Sequence, residues 1–318
     1  MKRLIKLIVT ILTIIGLIVF ISFVNHKIKL KDEDALFKTN GKIVEVDGHH
    51  MNVYLSGNPN SDFTLVFMSG AGTCSPTLDF KTLYSLFEKD YQIAVVEKAG
   101  YGFSDISDIS RDIDTILFET RESLNQAGVT NHNYILFPHS MSGIEALYWA
   151  NKYPDEIKGI VGLDLSVPVA YQNTKINTFL LSAAKFGAEI GLTRFLPYLV
   201  DSSSAITDGN LTEEEKELYR VIFYRRTATT SMINEAKMIK ANAKKLEEID
   251  TTNVPMLFFI SNGDGTGYSK EEWRSFGVGY LANKQNGKYQ FLDCSHYVHN
   301  IAYQQIFEES IKFINQLK

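Results

Sequence analysis

Residues 133–152 read NYILFPHSMSGIEALYWANK, and within a few positions they change from a strand pattern to a helical pattern. The run 133–137 is short and apolar, as in a strand buried on both faces, whereas 144–152 has the composition of a helix. Ser140 falls in the turn between them. Such a turn holds a hydroxyl above the sheet and aims the amino end of the helix at it. We therefore predict Ser140 as a candidate nucleophile.

The alternation of short apolar runs with helical periodicity continues on both sides of this turn. It is typical of an α/β fold in which a mostly parallel, twisted sheet is covered by helices. We predict strands at 42–46, 51–55, 64–68, 93–97, 134–137, 159–164, 256–260 and 290–292. We predict covering helices at 112–127 and 301–317. Residues 41–168 and 251–318 together form the predicted core.

Residues 169–250 interrupt the alternation, because they carry helical signals without a convincing strand. Thr212 and Glu215 have the spacing of a capping box, which satisfies free amides at a helix start. Residues 236–246 are rich in strong helix formers. Several aromatic side chains in this segment are suited either to its own packing or to an acyl pocket. We predict a helical lid inserted into the core.

The amino-terminal region has the pattern of a membrane anchor. Lys2, Arg3 and Lys6 precede the run 7–24, which contains neither charge nor proline. Its 18 residues, at ~1.5 Å per residue, span roughly 27 Å, close to the thickness of the hydrocarbon layer. No small-residue cleavage site follows, so we predict an uncleaved single-pass transmembrane helix.

We assign residues 1–26 to the anchor and 27–40 to a charged linker. Lysines on both flanks leave the orientation undecided by charge alone. The signal-like order, basic residues and then an apolar run, favours an extracytoplasmic position for the core.

Composition excludes several classes of protein. The net charge is −5 and mixed along the chain, without the basic clusters that bind a phosphate backbone, so no nucleic-acid partner is expected. Cys74 and Cys294 are the only cysteines. Two cysteines are too few for a disulfide scaffold, and their spacing does not suit a zinc site. We expect no metal or cofactor, and free thiols rather than a bridge between these two residues.

The turn at 138–143, with the sequence PHSMSG, resembles the nucleophile elbow of the α/β-hydrolase family, usually written G-x-S-x-G. His139, Met141 and Gly143 match the common family form G-H-S-M-G-G. Pro138 and Ser142 stand where the family has glycines, which is a departure from the pattern. The resemblance extends from about residue 41 to the carboxyl end and is weakest through the predicted lid.

A second family segment is the loop after the third strand, which here is Ser69-Gly70-Ala71-Gly72. The resemblance implies that the backbone amides of Ala71 and Met141 bind the developing oxyanion. The segment 96–105, VEKAGYGFSD, resembles another family turn. We interpret its Glu97 as structural.

The base and the acid follow in the order that the family uses. His296, after the last strand, is the predicted base, and His299 is its local rival. Two aspartates at strand ends are candidates for the acid that orients the base. Asp264 fits the more frequent family pattern and is preferred, while Asp164 is the alternative. His49 and His50 lie in an early turn, where we expect solvent exposure.

Together these residues imply acyl transfer through a covalent acyl-enzyme. Hydrolysis of a small carboxylic ester with an apolar acyl part is the first expectation. Cleavage of an amide or peptide, as in aminopeptidases, and of a thioester are alternatives. The nucleophilic aspartate of epoxide hydrolases and haloalkane dehalogenases is absent from the elbow. A non-catalytic binding protein on the same scaffold is the remaining alternative.

Overall fold

A computed structural model describes residues 1–318. The strands are β1 Lys42–Val46, β2 His49–Gly57, β3 Thr64–Met68, β4 Gln92–Glu97, β5 Tyr134–Pro138, β6 Ile157–Leu163, β7 Met256–Ile260 and β8 Gly287–Phe291. The helices are α1 Lys2–Asp32, α2 Pro76–Asp79, α3 Lys81–Tyr84, α4 Ile113–Gln126, α5 Ser142–Lys152, α6 Thr178–Glu189, α7 Tyr198–Asp201, α8 Ser204–Thr207, α9 Glu213–Arg226, α10 Thr230–Glu247, α11 Lys270–Leu281, α12 Val298–Ile301 and α13 Tyr303–Asn315.

The strands form one eight-stranded sheet in the order β1-β2-β4-β3-β5-β6-β7-β8. β1, β2 and β4 pair antiparallel, and every pairing from β4 through β3 to β8 is parallel. The carboxyl ends of β3, β5, β6 and β7 therefore meet at one edge, where polar residues from distant parts of the chain come together. The predicted α/β fold with a mostly parallel sheet is confirmed.

Helices cover both faces of the sheet. On one face, α4, α5, α10 and α11 contribute to a cluster of 35 buried apolar residues. On the other face, α3 and α13 pack on a cluster of 21, which contains a stack of Phe67 on Phe137 with ring centroids 4.7 Å apart. Both faces of the central strands are therefore dry, which explains why those strands read as continuous apolar runs.

Residues 169–250, hereafter the insertion, connect β6 to β7 and contain α6 to α10 without a strand. The capping box at the start of α9 is present, with Thr212 and Glu215 in reciprocal bonds. α10 is fixed to the core by buried polar contacts. Asn242 accepts a hydrogen bond of 3.0 Å from the Ile113 amide and donates one of 3.0 Å to the Arg111 carbonyl. Lys98 forms a buried ion pair with Glu235.

α1 is longer than predicted, since it continues through Asp32 and includes the first part of the expected linker 27–40. Its apolar portion projects from the domain, and an 18-residue window has a mean hydropathy of 3.0 with 6% of its residues buried. By length and composition, this helix can cross a membrane. Ser22 and His26 are buried against the insertion, and these contacts stabilise the helix beyond the end of the apolar run.

One buried carboxyl under α5 makes stability depend on pH. Burial raises the pKa of Glu145 from its ordinary value of 4.5 to about 7, against the opposing charge of Lys98. Thr120 donates a hydrogen bond of 2.7 Å to its Oε1. Ionisation is therefore harder in the folded than in the unfolded chain, so this group lowers stability as pH rises from 4.5 through about 7.

We expect Glu145→Gln to remove this effect, because the amide keeps the acceptor for Thr120 and carries no charge. Relative to the wild type, the variant gains about 2–3 kcal/mol more at pH 8 than at pH 5. Thermal unfolding of the detergent-solubilised chain at the two pH values measures the gain. Glu45→Gln, at an exposed position on β1, is the matched control. An equal gain at both pH values contradicts the assignment.

Candidate active site

Ser140 occupies the tight turn between β5 and α5 with a φ of 56°, a left-handed conformation that L residues adopt only where the surroundings enforce it. Two glycines make room for this turn. A Cβ on Gly70 would lie 2.6 Å from the Cβ of Ser140, and a Cβ on Gly143 would lie 2.3 Å from the carbonyl oxygen of Ser166. The loop after β3 and the loop after β6 therefore both approach the elbow closely.

The two departures from the family elbow have structural explanations. Pro138 has no amide to donate, and the pairing of β5 with β6 is interrupted there: it runs to Leu136, and only a single bridge at His139 follows. Ser142 uses its hydroxyl, which donates to the carbonyls of Met68 at 2.7 Å and His139 at 2.9 Å. Both residues are compatible with the turn.

His296 pairs with Asp164. Its Nδ1 lies 2.6 Å from Asp164 Oδ2, and both side chains are buried. The other carboxylate oxygen of Asp164 accepts hydrogen bonds from the Ser261 amide at 2.7 Å and from the Trp273 indole at 2.8 Å. Three donors thus hold this carboxylate in a fixed orientation, and it in turn fixes the imidazole.

The structure brings Asp164, and not the preferred Asp264, to the ring of His296. Asp264 is exposed, and its carboxylate accepts from the side-chain amide of Asn262 at 3.1 Å. Only its backbone carbonyl reaches His296, by accepting from the His296 amide at 2.9 Å. Asp264 therefore supports the loop that carries His296, while Asp164 contacts the ring.

Four further histidines have environments different from that of His296. His299, the rival base, is fully buried, and its Nε2 lies 2.8 Å from Asp79 Oδ2. The ring of His139 lies beside that of His296, with centroids 4.6 Å apart and planes tilted by 42°. Burial, together with the rings of His296 and His299, holds the pKa of His139 well below its ordinary range, so His139 is neutral. The expected exposure of His49 is wrong, since it is buried 3.5 Å from Glu119, whereas His50 is exposed.

The amides of Ala71 and Met141 are available as donors. Neither residue belongs to a helix or strand, and neither amide donates a backbone hydrogen bond elsewhere in the chain. Ala71 follows β3, and Met141 lies at the amino end of α5. Both residues therefore lie beside the Ser140 turn with amides that have no backbone partner.

Ser140 and His296 line one cavity of about 490 Å³ at the carboxyl edge of the sheet. Other lining residues are Ala71, Ser166, Tyr171, Thr174, Tyr268 and Trp273. Sequence reasoning missed Tyr268 and Trp273, because both lie in or just before α11, where the pattern indicates ordinary helix packing. The residues that line this space come from the core and from the start of the insertion.

The remaining candidates lie outside the chemistry. The carboxylate of Glu97 is buried and accepts from the hydroxyl of Thr77 at 2.8 Å and the amide of Phe103 at 2.7 Å, so the structural interpretation is confirmed. Cys74 and Cys294 are not bonded to each other. Burial raises the pKa of the Cys74 thiol to about 12 and that of Cys294 to about 11, which leaves both uncharged at neutral pH.

Comparisons with known proteins give relatives and structural neighbours. No family model matches the sequence. The uncharacterized protein YbdG of Bacillus subtilis is 36% identical over 302 residues, which cover 93% of this chain and 92% of YbdG. Another B. subtilis protein, YqjL, is 33% identical over 105 residues, covering 33% of this chain and 40% of YqjL.

Solved structures share the architecture. Haloalkane dehalogenase DbeA from Bradyrhizobium elkani superimposes with a TM-score of 0.65 at 14% identity, covering 87% of this chain and 97% of that one. A mutant of a candidate epoxide hydrolase from Pseudomonas aeruginosa gives 0.67 at 15% identity, covering 87% and 96%. At such identities the likeness concerns the fold alone, and it confirms the α/β-hydrolase fold.

Proposed function

The chain belongs to the family of YbdG and has the α/β-hydrolase fold, and from this premise we propose that it is a serine hydrolase that cleaves a carboxylic ester through Ser140, His296 and Asp164. The observation that carries the proposal is the 2.6 Å contact between His296 Nδ1 and Asp164 Oδ2, with His296 and Ser140 on the wall of one cavity. Asp164 thereby replaces Asp264 in the triad.

The chemistry follows from these positions. His296 Nε2 accepts the proton of the Ser140 hydroxyl while Oγ attacks the ester carbonyl, and the electron pair of the C=O bond moves to the oxygen. The amides of Ala71 and Met141 hold that oxyanion. Collapse expels the alkoxide, which takes the proton from His296 and leaves an acyl-enzyme. Water then attacks the acyl-enzyme while His296 accepts its proton. The carboxylic acid is released, and Ser140 Oγ leaves with the proton from His296.

Asp164 serves this cycle by orienting His296 and by stabilising the imidazolium that forms twice per turnover. Its burial strengthens that interaction, because little water screens the pair. The hydrogen bonds from Ser261 and Trp273 hold this carboxylate in place beside the imidazole. Amide and thioester hydrolysis use the same machinery and are the alternative reactions.

We also infer that α1 anchors the enzyme in a membrane, with the core on the extracytoplasmic side. The mean hydropathy of 3.0 over an 18-residue window of α1, and its small buried share of 6%, support the anchor. The insertion serves as the lid over the cavity, because its residues Ala170, Tyr171 and Thr174 line one of the cavity walls.

A fluorophosphonate probe tests the proposed nucleophile. We expect the wild type to be labelled covalently and Ser140→Ala not to be labelled, since the probe reacts only with an activated hydroxyl. Ser166→Ala, which also removes a serine hydroxyl from the cavity wall, is the matched control and keeps the label. Folded wild type that binds the probe reversibly without covalent labelling indicates a binding protein instead.

A further inference from the structure

The insertion presents an exposed apolar surface, made of the outward side of α6 and residues 192–199. Its largest side chains are Phe179, Leu180, Phe186, Phe195, Leu196 and Tyr198. Phe179 is 82% exposed and Phe186 55% exposed. The one buried residue of α6 is Ala188, which lies on the side opposite Phe179 and Phe186. A water-facing helix does not normally carry phenylalanines on its outer side.

This apolar surface lies where α1 meets the domain. The hydroxyl of Ser22 donates a hydrogen bond of 2.6 Å to the carbonyl of Ile190, directly after α6. Arg194 donates to His26 Nδ1 at 2.8 Å and forms a bidentate pair with Glu33 at 2.7 and 2.8 Å. The Ser22 hydrogen bond is buried and the Arg194 contacts are part-buried. The junction between α1 and the insertion is therefore a packed interface.

The position of Ser22 sets the height of the apolar surface relative to a bilayer. Ser22 belongs to the last turn and a half of the apolar run 7–24, which is the part inferred to lie in hydrocarbon. A residue that touches Ser22 therefore lies at the boundary between acyl chains and headgroups. Exposed lysines at 27, 29 and 31 follow on the same helix and suit anionic headgroups.

The apolar surface also adjoins the cavity of Ser140. Tyr171 and Thr174 line that cavity, and α6 begins four residues after Thr174, at Thr178. Ala170, in the same wall, is held by a hydrogen bond from the Tyr268 hydroxyl. The wall of the cavity thus continues directly into the exposed helix.

We propose that the apolar surface rests in the headgroup and upper acyl region of the bilayer that α1 enters, and that the site takes its ester from this bilayer, as an acyl ester of a membrane lipid. This substrate class rests on the proposed serine hydrolase function. The occupant is lipid rather than protein, because the anchor places the apolar surface at the membrane without any further partner. An acyl chain can then pass from the bilayer into the cavity along residues 171–178.

Contact with the bilayer is tested without reference to activity. Full-length Phe179→Trp is reconstituted in vesicles of phosphatidylcholine and phosphatidylglycerol that contain brominated acyl chains. We expect quenching of the added tryptophan beyond that of the wild type, whose Trp149 and Trp273 are buried. Phe118→Trp is the control, on an exposed phenylalanine of α4, and shows no added quenching. Absence of quenching at position 179 overturns the proposal. If cross-linking then finds a second copy of this chain at the apolar surface, that copy is the occupant instead of lipid.

The substrate class is tested in the same vesicles with two esters, a soluble p-nitrophenyl ester and the vesicle lipids. We expect Ser140-dependent hydrolysis of both. The double variant Phe179→Ser with Phe186→Ser lowers lipid hydrolysis about tenfold or more, because two large apolar side chains no longer enter the bilayer. Its rate on the soluble ester changes less than about twofold, because neither side chain lines the cavity. Phe118→Ser leaves both rates unchanged.

The outcomes separate the two proposals. Ser140-dependent hydrolysis of the soluble ester alone, or an equal loss on both esters in the double variant, overturns the lipid inference and leaves the serine hydrolase intact. If neither ester is hydrolysed in a Ser140-dependent manner, the proposed function is overturned. In that case the quenching result still decides whether the apolar surface contacts lipid.

Discussion

Replacing Asp164 by asparagine lowers kcat on a soluble p-nitrophenyl ester by about 10³- to 10⁴-fold, whereas Asp264→Asn changes it by less than about twofold. The carboxylate of Asp164 accepts from His296 Nδ1, which leaves Nε2 free as the base. An asparagine amide in that place can donate to Nδ1 and favours the tautomer in which Nε2 carries the proton. Such an imidazole cannot accept the proton of Ser140.

The comparison also separates orientation from substrate binding. KM should change little in Asp164→Asn, because the carboxylate is buried behind the ring and does not line the cavity. Asparagine retains an acceptor for Ser261 and Trp273, so the fold is preserved, as circular dichroism can check. If Asp264→Asn is folded but inactive while Asp164→Asn has wild-type activity, Asp264 is the acid, as the sequence suggested.

Gly70→Ala lowers kcat by about 10²- to 10³-fold, which is the effect of losing an oxyanion donor. An added Cβ would lie 2.6 Å from the Ser140 Cβ and 3.0 Å from the His139 carbonyl oxygen, so the loop must move away from the elbow. The amide of Ala71, the next residue, moves with it. Asp164 and His296 stay in place, because they follow β6 and β8 and do not contact Gly70.

Kinetics on the soluble ester and the rate of fluorophosphonate labelling measure this effect together. Gly279→Ala is the matched control, since a Cβ there meets nothing within 4 Å on the outside of α11. A Gly70→Ala enzyme with wild-type kcat places the oxyanion donors elsewhere than Ala71.

Most of the sheet could be predicted from the sequence because its central strands are buried on both faces and have one apolar signal each. β8 is the exception. It lies at the edge with residues such as Lys288 and Tyr289 exposed, so its start lacked an apolar pattern. The end of α1 was missed for a related reason. Lysines 27, 29 and 31 resemble a linker, while His26 and Glu33 find partners on Arg194, distant in sequence.

The motifs around Ser140 and Ala71 could be predicted from the sequence, whereas the choice between Asp164 and Asp264 could not. The elbow at Ser140 and the loop at Ala71 are contiguous motifs, so their form is visible in the chain. Asp164 and Asp264 both follow strands whose ends meet at one edge, and motif spacing favours Asp264. The decisive features are the direction of each carboxylate and the indole of Trp273, which depend on packing that a one-dimensional pattern does not contain.

The insertion has two parts that differ in how readily they tolerate sequence change, because α10 is attached to the core by buried contacts and residues 172–199 are not. The ion pair of Glu235 with Lys98 and the hydrogen bonds of Asn242 attach α10 to the core, so substitutions at these two positions affect the stability of the fold. Residues 172–199 carry no comparable buried ion pair to the core, and at Thr174 this segment reaches the cavity. Under the proposed ester hydrolysis, homologues can therefore acquire new acyl preferences by changing this segment while the core beneath remains intact.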